Sequence, residues 1–360
     1  METVVKTVLT FQRQTKAIQI YAKHPSYSDC NFIETKPQPM IGKDLRIVFM
    51  GTPEFAVASL KALVENGYNV VGVVTAPDRP SGRGQKMHQS DVKLYAFSKG
   101  LPVLQPEKLK DENFLGELES LKPDIQIIVA FRMLPEVVWK MPPMGTFNLH
   151  GSLLPHYRGA APLNWAIING DQETGVTTFL LKQEIDTGNI LFQEKVKIGP
   201  EETIGELHDE LMEIGANLVL KTVNALAEGN VSPLAQDLLA INREKLHAPK
   251  IFKENCLIDW GKPGTIINNL IRGLSPYPAA WTNIQNSGTE TGVKIFKASF
   301  EQVSHQCKPG EIQSDNKKYL KIACTDGFLH ILDLQLAGKK RMGIAEFLRG
   351  FPNVVNYKAI

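Results

Sequence analysis

An alternation of short apolar runs with amphipathic stretches constrains this chain more than any other feature of its sequence. An apolar run at residues 45–50 gives way to a helical pattern at 53–65, then to a second apolar run at 70–75; residues 124–130 and 145–150 repeat the strand pattern later. Strands separated by helices return in the same direction, which builds a mostly parallel sheet with helices on its faces. In a Rossmann-like open sheet of this kind ligands bind where the chain leaves the carboxyl ends of the strands. The exits that matter are therefore residues 50–55, 75–86, 130–134 and 148–158. A further strand at 176–181, a hairpin partner at 190–196 and a long amphipathic helix at 203–228 complete a first domain over residues 43–230.

The pattern then changes. Residues 231–255 are polar and hold Pro233 and Pro249, which reads as a surface linker. Beyond it come one short helix at 260–272 and short strands at 280–284, 293–300, 310–313, 319–324 and 328–336. Several short strands with turns between them fit a small β-barrel of the oligonucleotide-binding (OB-like) type over residues 256–360. Residues 1–42 lack sustained periodicity and read as an appendage, either an unstructured extension or the product of a start upstream of Met40. Asp29 and Glu34 argue against an organellar presequence, although an organelle stays as the alternative to the bacterial cytoplasm.

Charge is divided between these regions. Residues 43–230 carry 18 Lys and Arg against 24 Asp and Glu, whereas residues 231–360 carry 17 against 11. A basic C-terminal part suits contact with a polyanion, and it equally suits simple solubility. The four cysteines, Cys30, Cys256, Cys307 and Cys324, form no C-x-x-C pair and no disulfide framework. No H-E-x-x-H is present either, so a catalytic metal is not expected. No apolar run reaches the roughly 20 residues that span a bilayer, so no membrane partner is expected, and a monomer is the expected state.

The first strand exits through Met50-Gly51-Thr52-Pro53-Glu54-Phe55, which lacks the second and third glycines of a dinucleotide fingerprint. Gly51 is accounted for by a tight turn. The informative exit is the segment from Phe147 to Pro155, where Asn148 and His150 sit two apart on a strand and share a face. An amine attacking a formyl group creates a tetrahedral oxyanion, which needs a positioned donor, and releases a proton, which needs an acceptor. Asn148 suits the first task. A protonated His150 can share it, with Asp186 after another strand to orient the imidazole and collect the proton through water. These residue types alone fit a structural role equally well. Ser152 lacks the G-x-S-x-G setting of a hydrolase nucleophile.

The run Asn148-Leu149-His150-Gly151-Ser152-Leu153-Leu154-Pro155-His156-Tyr157-Arg158-Gly159 resembles the active-site signature of the folate-dependent formyltransferases, and Asp186-Thr187-Gly188 resembles their second motif. Ala248-Pro249-Lys250-Ile251, Ile271-Arg272-Gly273-Leu274-Ser275-Pro276-Tyr277-Pro278 and Leu336-Ala337-Gly338-Lys339-Lys340-Arg341-Met342 are similar to segments of the branch that acts on methionyl-tRNA. The resemblance implies transfer of formyl from 10-formyltetrahydrofolate to methionyl-initiator-tRNA, with Asn148, His150 and Asp186 catalytic. It also implies a folate pocket lined by Ser152, Leu153, Leu154 and Pro155, with the pterin against Arg132, Met133 and Leu134.

For the tRNA, the resemblance points to the loop from Asp78 to Lys86, with Arg79, Arg83 and Lys86 following phosphates, and to Lys339, Lys340 and Arg341 in the barrel. The linker cations Arg243, Lys245, Lys250 and Lys253 are weaker candidates. By composition alone the Asp78 to Lys86 loop is a solvated turn. Two other readings stay open: a formyltransferase for a small amine such as a nucleotide sugar, and a nucleic-acid-binding protein whose sheet is only a scaffold.

Overall fold

Residues 47–51, Ile-Val-Phe-Met-Gly, are buried at every position, as in a strand covered on both faces. In the computed structural model, which describes residues 42–81, 86–239 and 246–360, this stretch is the middle of a seven-stranded sheet. In chain order the first part runs β1 (Ile47–Gly51), α1 (Glu54–Glu65), β2 (Val70–Val74), β3 (Arg79–Ser81), β4 (Lys86–His88), α2 (Asp91–Ser98), β5 (Val103–Leu104), α3 (Glu112–Ser120) and β6 (Ile125–Val129). It continues through α4 (Glu136–Trp139), β7 (Thr146–His150), β8 (Arg158–Gly159), α5 (Pro162–Ile168), β9 (Glu173–Leu180), β10 (Ile190–Lys197) and α6 (Ile204–Ala227). The sheet order is β10-β9-β7-β6-β1-β2-β5; the five strands from β7 to β5 are parallel, and β9 and β10 are antiparallel. The sequence order reverses between β1 and β6, which opens a crevice at their carboxyl ends.

Alternation along the strands sorts side chains to two cores. Ile47, Phe49, Ile127, Phe147 and Leu149 pack with α1, α2 and α6; Val48, Met50 and Ile128 pack with Phe114 and Leu118 of α3 and Val138 of α4. Asn148 lies opposite Ile128 in the parallel register, so Asn148 and His150 belong to the second face. The helix expected at 203–228 forms with Thr203 as its N-cap. Thr203 Oγ1 accepts from Glu206 N at 3.4 Å, and Glu206 Oε2 accepts from Thr203 N at 2.8 Å, a complete capping box.

The second part holds β11 (His247–Ala248), α7 (Gly264–Gly273), β12 (Ala280–Asn286), β13 (Thr289–Gln302), β14 (Ile312–Ser314), β15 (Leu320–Ala323), β16 (Gly327–Leu336), β17 (Met342–Gly343), α8 (Ile344–Gly350) and β18 (Lys358–Ala359). Antiparallel pairing runs β14-β15-β16-β13-β12-β18, and a bridge between Glu311 and Lys358 ties the two edges into a nearly closed barrel. The expected barrel is thus present. The helix begins at Gly264 rather than Trp260, because Pro263 occupies its N-cap. Trp260 instead enters the barrel core, where its Nε1 donates to Thr282 Oγ1 at 3.0 Å.

Helix α7 and the turn after it fasten the barrel to the first part. Asn164 Nδ2 donates to Gly273 O at 2.8 Å, and a Cβ on Gly273 would meet Ile168 at 2.7 Å. Arg272, 8% exposed, donates to the carbonyls of Gly199 and Glu202, and burial lowers its pKa from the usual guanidinium value.

Candidate active site

Strand β7 delivers Asn148 and His150 to the carboxyl end of the sheet. His150 is 6% exposed. Its Nε2 lies 2.8 Å from Tyr157 O, a backbone acceptor, so this nitrogen carries the hydrogen and Nδ1 faces the other way. Nδ1 is 3.9 Å from Asp186 Oδ2, too long for a direct hydrogen bond and suited to an intervening water or reacting group. Asn148 differs from both: its Oδ1 is buried and meets no donor among the described residues.

Asp186 lies in the turn between β9 and β10 with φ +53°, in the left-handed region that costs a residue with a Cβ about 1–2 kcal/mol. Several contacts hold it there. Its Oδ2 accepts from Gly159 N at 3.0 Å, and its backbone oxygen accepts from Gln236 Nε2 at 2.8 Å. Gly188 follows where a Cβ would meet Leu180 O at 1.5 Å, so the turn requires glycine. The loop after β7 is held as firmly. Thr177 Oγ1 donates to Ser152 O at 2.6 Å, Gln193 Nε2 donates to Leu154 O at 2.9 Å, and Ser152 Oγ donates to His156 O at 2.7 Å.

Two matches cover most of the chain. The formyl transferase family profile fits residues 45–223, and the profile of the formyl transferase C-terminal domain fits residues 250–352. A methionyl-tRNA formyltransferase of Bacteroides fragilis is 56% identical over 310 residues, covering 86% of this chain and 96% of that protein. The chain belongs to the methionyl-tRNA formyltransferase family. Another methionyl-tRNA formyltransferase, from Phocaeicola vulgatus, is 58% identical over 319 residues, covering 88% and 98%. The fold is shared more widely. An N-formyltransferase from Helicobacter canadensis, solved in complex with folinic acid and dTDP-3-aminofucose, superposes with a TM-score of 0.59 at 23% identity, covering 83% of this chain and all of that one. HypX from Aquifex aeolicus, solved with tetrahydrofolic acid, gives 0.57 at 20% identity, covering 84% and 47%.

As a methionyl-tRNA formyltransferase family member, the chain brings Asn148, His150 and Asp186 together at one end of the sheet. The residues expected to line a folate pocket divide. Leu154 packs with Phe179 and Ile190, Ser152 and Pro155 are buried, and Leu134 belongs to the α3 and α4 core, whereas Met133 is 73% exposed and Leu153 half-buried. Arg132 turns back to donate to the carbonyls of Pro106 and Glu107; its Nε is buried without a partner among the described residues, and burial lowers its pKa from the usual value.

Among the cations expected to meet tRNA, Arg79 is exposed on the β3–β4 hairpin, and Lys339 and Lys340 are exposed on the β16–β17 turn. Arg341 is engaged: its guanidinium pairs with Asp333 at 2.6 Å and sits 4.4 Å over the Phe296 ring. Lys250 and Lys253 lie over the rings of Phe252 and Trp281. Arg83, Arg243 and Lys245 lie outside the described residues, as does the Lys86 side chain. No group of three or more His, Cys, Asp or Glu among the described residues is placed to hold a metal ion, and no helix among them is long and apolar enough to cross a membrane.

Sequence reasoning missed the partners that assemble the site. Gln236, 3% exposed within the polar stretch read as a linker, lies directly behind Asp186. Its only sequence signal is a glutamine in a short polar run.

Proposed function

We propose that this chain transfers the formyl group of 10-formyltetrahydrofolate to the α-amino group of methionyl-initiator-tRNA, giving formylmethionyl-tRNA for translation initiation. The single observation that carries the reading is the buried Asn148 Oδ1, unpartnered among the described residues, on the same strand as His150, with Asp186 beside that histidine. The folate donor supplies an activated formyl carbon. Asn148 Nδ2 donates to the formyl oxygen, which gains negative charge as the amine attacks; placed donors of this kind are worth about 10²–10³ in rate. Asp186 and the Nδ1 side of His150 take the proton that the amine loses, and it returns to the folate nitrogen as the carbon–nitrogen bond to the formyl group breaks.

The residues fit such a donor. Asn148 on β7 and Arg132 in the loop after the adjacent β6 each carry a buried polar atom, Oδ1 and Nε, without a partner among the described residues. Met133 offers exposed apolar surface at the same exit. Arg79, Lys339 and Lys340 supply exposed positive charge for the tRNA backbone. The methionyl-tRNA acceptor is favoured over a small amine because relatives bearing that name are 52–58% identical, whereas the N-formyltransferase solved with dTDP-3-aminofucose is 23% identical. These relatives are bacterial, and the reading places the chain in the bacterial cytoplasm.

The test is transfer of labelled formyl from 10-formyltetrahydrofolate to methionine-charged initiator tRNA, beside uncharged tRNA and a panel of amino sugars. Label on the charged tRNA alone is the expected result. Label on an amino sugar alone keeps the trio and overturns the acceptor.

A further inference from the structure

Gln236 and Arg158 form a closed ring of hydrogen bonds around the carboxylate that the catalytic reading uses. Arg158 donates through Nε and Nη2 to Gln236 Oε1, at 3.1 and 2.5 Å. The Gln236 amide nitrogen spends both hydrogens on the Asp186 turn, donating to Asp186 O and Gly188 O at 2.8 Å each. The Asp186 carboxylate in turn accepts from Gly159 N at 3.0 Å, and Gly159 is the residue after Arg158. The ring therefore runs from β8 through Gln236 and Asp186 back to β8.

We propose that Gln236, held by Arg158, is a positioning residue for Asp186, and that the segment after α6 thereby sets the geometry of the catalytic carboxylate. Glutamine is suited to this place. Two carbonyl oxygens need two donors on one nitrogen, the arginine needs an acceptor, and a primary amide supplies all three in one plane. Glutamate would face the two carbonyls with an oxygen, and a shorter side chain would not span the distance. The left-handed backbone at Asp186 is a conformation that surrounding contacts must impose, and Gln236 contacts its carbonyl oxygen directly. The same segment is joined to the site twice more. Leu234 exchanges backbone bonds with Ile190 at 2.8 Å, and β11 pairs with β8 in parallel, where Ala160 N donates to Ala248 O at 2.7 Å. A Cβ on Gly159 would meet Ala248 O at 2.5 Å, so the pairing depends on that glycine. Because this segment continues into α7 and the barrel, placement of Asp186 is tied to the chain that leads to the second domain.

This inference rests on the formyl-transfer reading for its kinetic arm and is independent of it for its structural arm. The full chain is made as wild type, Gln236→Ala, Gln236→Glu, Asp186→Ala and the Gln236→Ala, Asp186→Ala double variant, each confirmed folded by circular dichroism. Misplacing a catalytic group by about 1 Å costs on the order of 10²-fold. Gln236→Ala and Gln236→Glu are expected to lower kcat roughly 10- to 100-fold with the folate KM within about twofold. In the Asp186→Ala background the Gln236→Ala change is expected to alter kcat less than about twofold, because it acts through the missing carboxylate. A full additional loss in the double variant overturns the proposal, since a purely structural role adds in either background. Crystal structures of the two Gln236 variants supply the structural arm. Asp186 is expected to leave the positive-φ region or to lose its bond to Gly159 N; an unchanged Asp186 turn overturns the proposal whatever the wild type formylates.

Discussion

Burying an amide oxygen without a donor costs about 1–3 kcal/mol, and among the described residues Asn148 Oδ1 meets none. A residue kept for folding would be satisfied; one kept for a ligand would not. Asn148→Ala is therefore expected to leave the thermal midpoint unchanged or raise it while crippling formyl transfer, the trade seen where activity and stability compete. A fall of several degrees in the melt would return Asn148 to a structural role. At this scale the site is partly legible in the sequence. The spacing of Asn148 and His150 along a strand reveals their common face, because side chains alternate. The partners of His150 and Asp186 are backbone atoms, Tyr157 O and Gly159 N, and a glutamine 50 residues from Asp186. Neither backbone geometry nor so long a separation leaves a mark on local composition. The resemblance points to Arg341 as a tRNA contact, yet its tie to Asp333 follows from strand register alone: Asp333 pairs with Gly343, two residues after Arg341.

Elements buried on both faces are the readable ones. Strands β1, β2, β6 and β7 fall within two residues of the apolar runs, and α6 occupies the expected stretch because its apolar face and its capping box agree. The β3–β4 hairpin reads in the sequence only as a loop, since three-residue strands on an exposed ribbon have no buried face to write a pattern. What holds its base is polar. Asp78 lies 2.5 Å from the buried Lys93 and accepts from Gln105 at 2.8 Å, and these hydrogen bonds, Gln105 first, lower its pKa from the usual carboxylate value. A depressed folded pKa means a contribution fully present above the ordinary aspartate value of about 3.9 and lost as pH falls through the folded one. Asp78→Asn is expected to lower the urea midpoint at pH 7, with the gap to wild type narrowing below about pH 4. A gap that stays constant from pH 7 to pH 3 would detach Asp78 from the hairpin's anchoring.

Across the whole molecule, the proposed catalytic trio and the exposed cations proposed to meet tRNA fall to different parts. The first part holds the trio in a sheet whose exits face a crevice, and the barrel, fastened through α7 and Arg272, presents cations on the turn between β16 and β17. Replacing Lys339 and Lys340 by alanine is expected to weaken tRNA binding and flatten its dependence on salt by ~0.9 in log–log slope for each phosphate that is no longer neutralised. Arg341→Ala, already paired with Asp333, is expected to change that slope less, and equal slopes for all three would remove the turn from the tRNA surface. On the proposed reading, Asn148 on β7 and Asp186 in the turn between β9 and β10 carry formyl transfer to methionyl-tRNA. The most direct test is the single-turnover rate of formylation by wild type, Asn148→Ala and Asp186→Ala at saturating folate, with affinity for charged tRNA measured in parallel. Rates lowered about 10²-fold or more with tRNA affinity intact are expected; near-normal rates in either variant would take that residue out of the catalytic step.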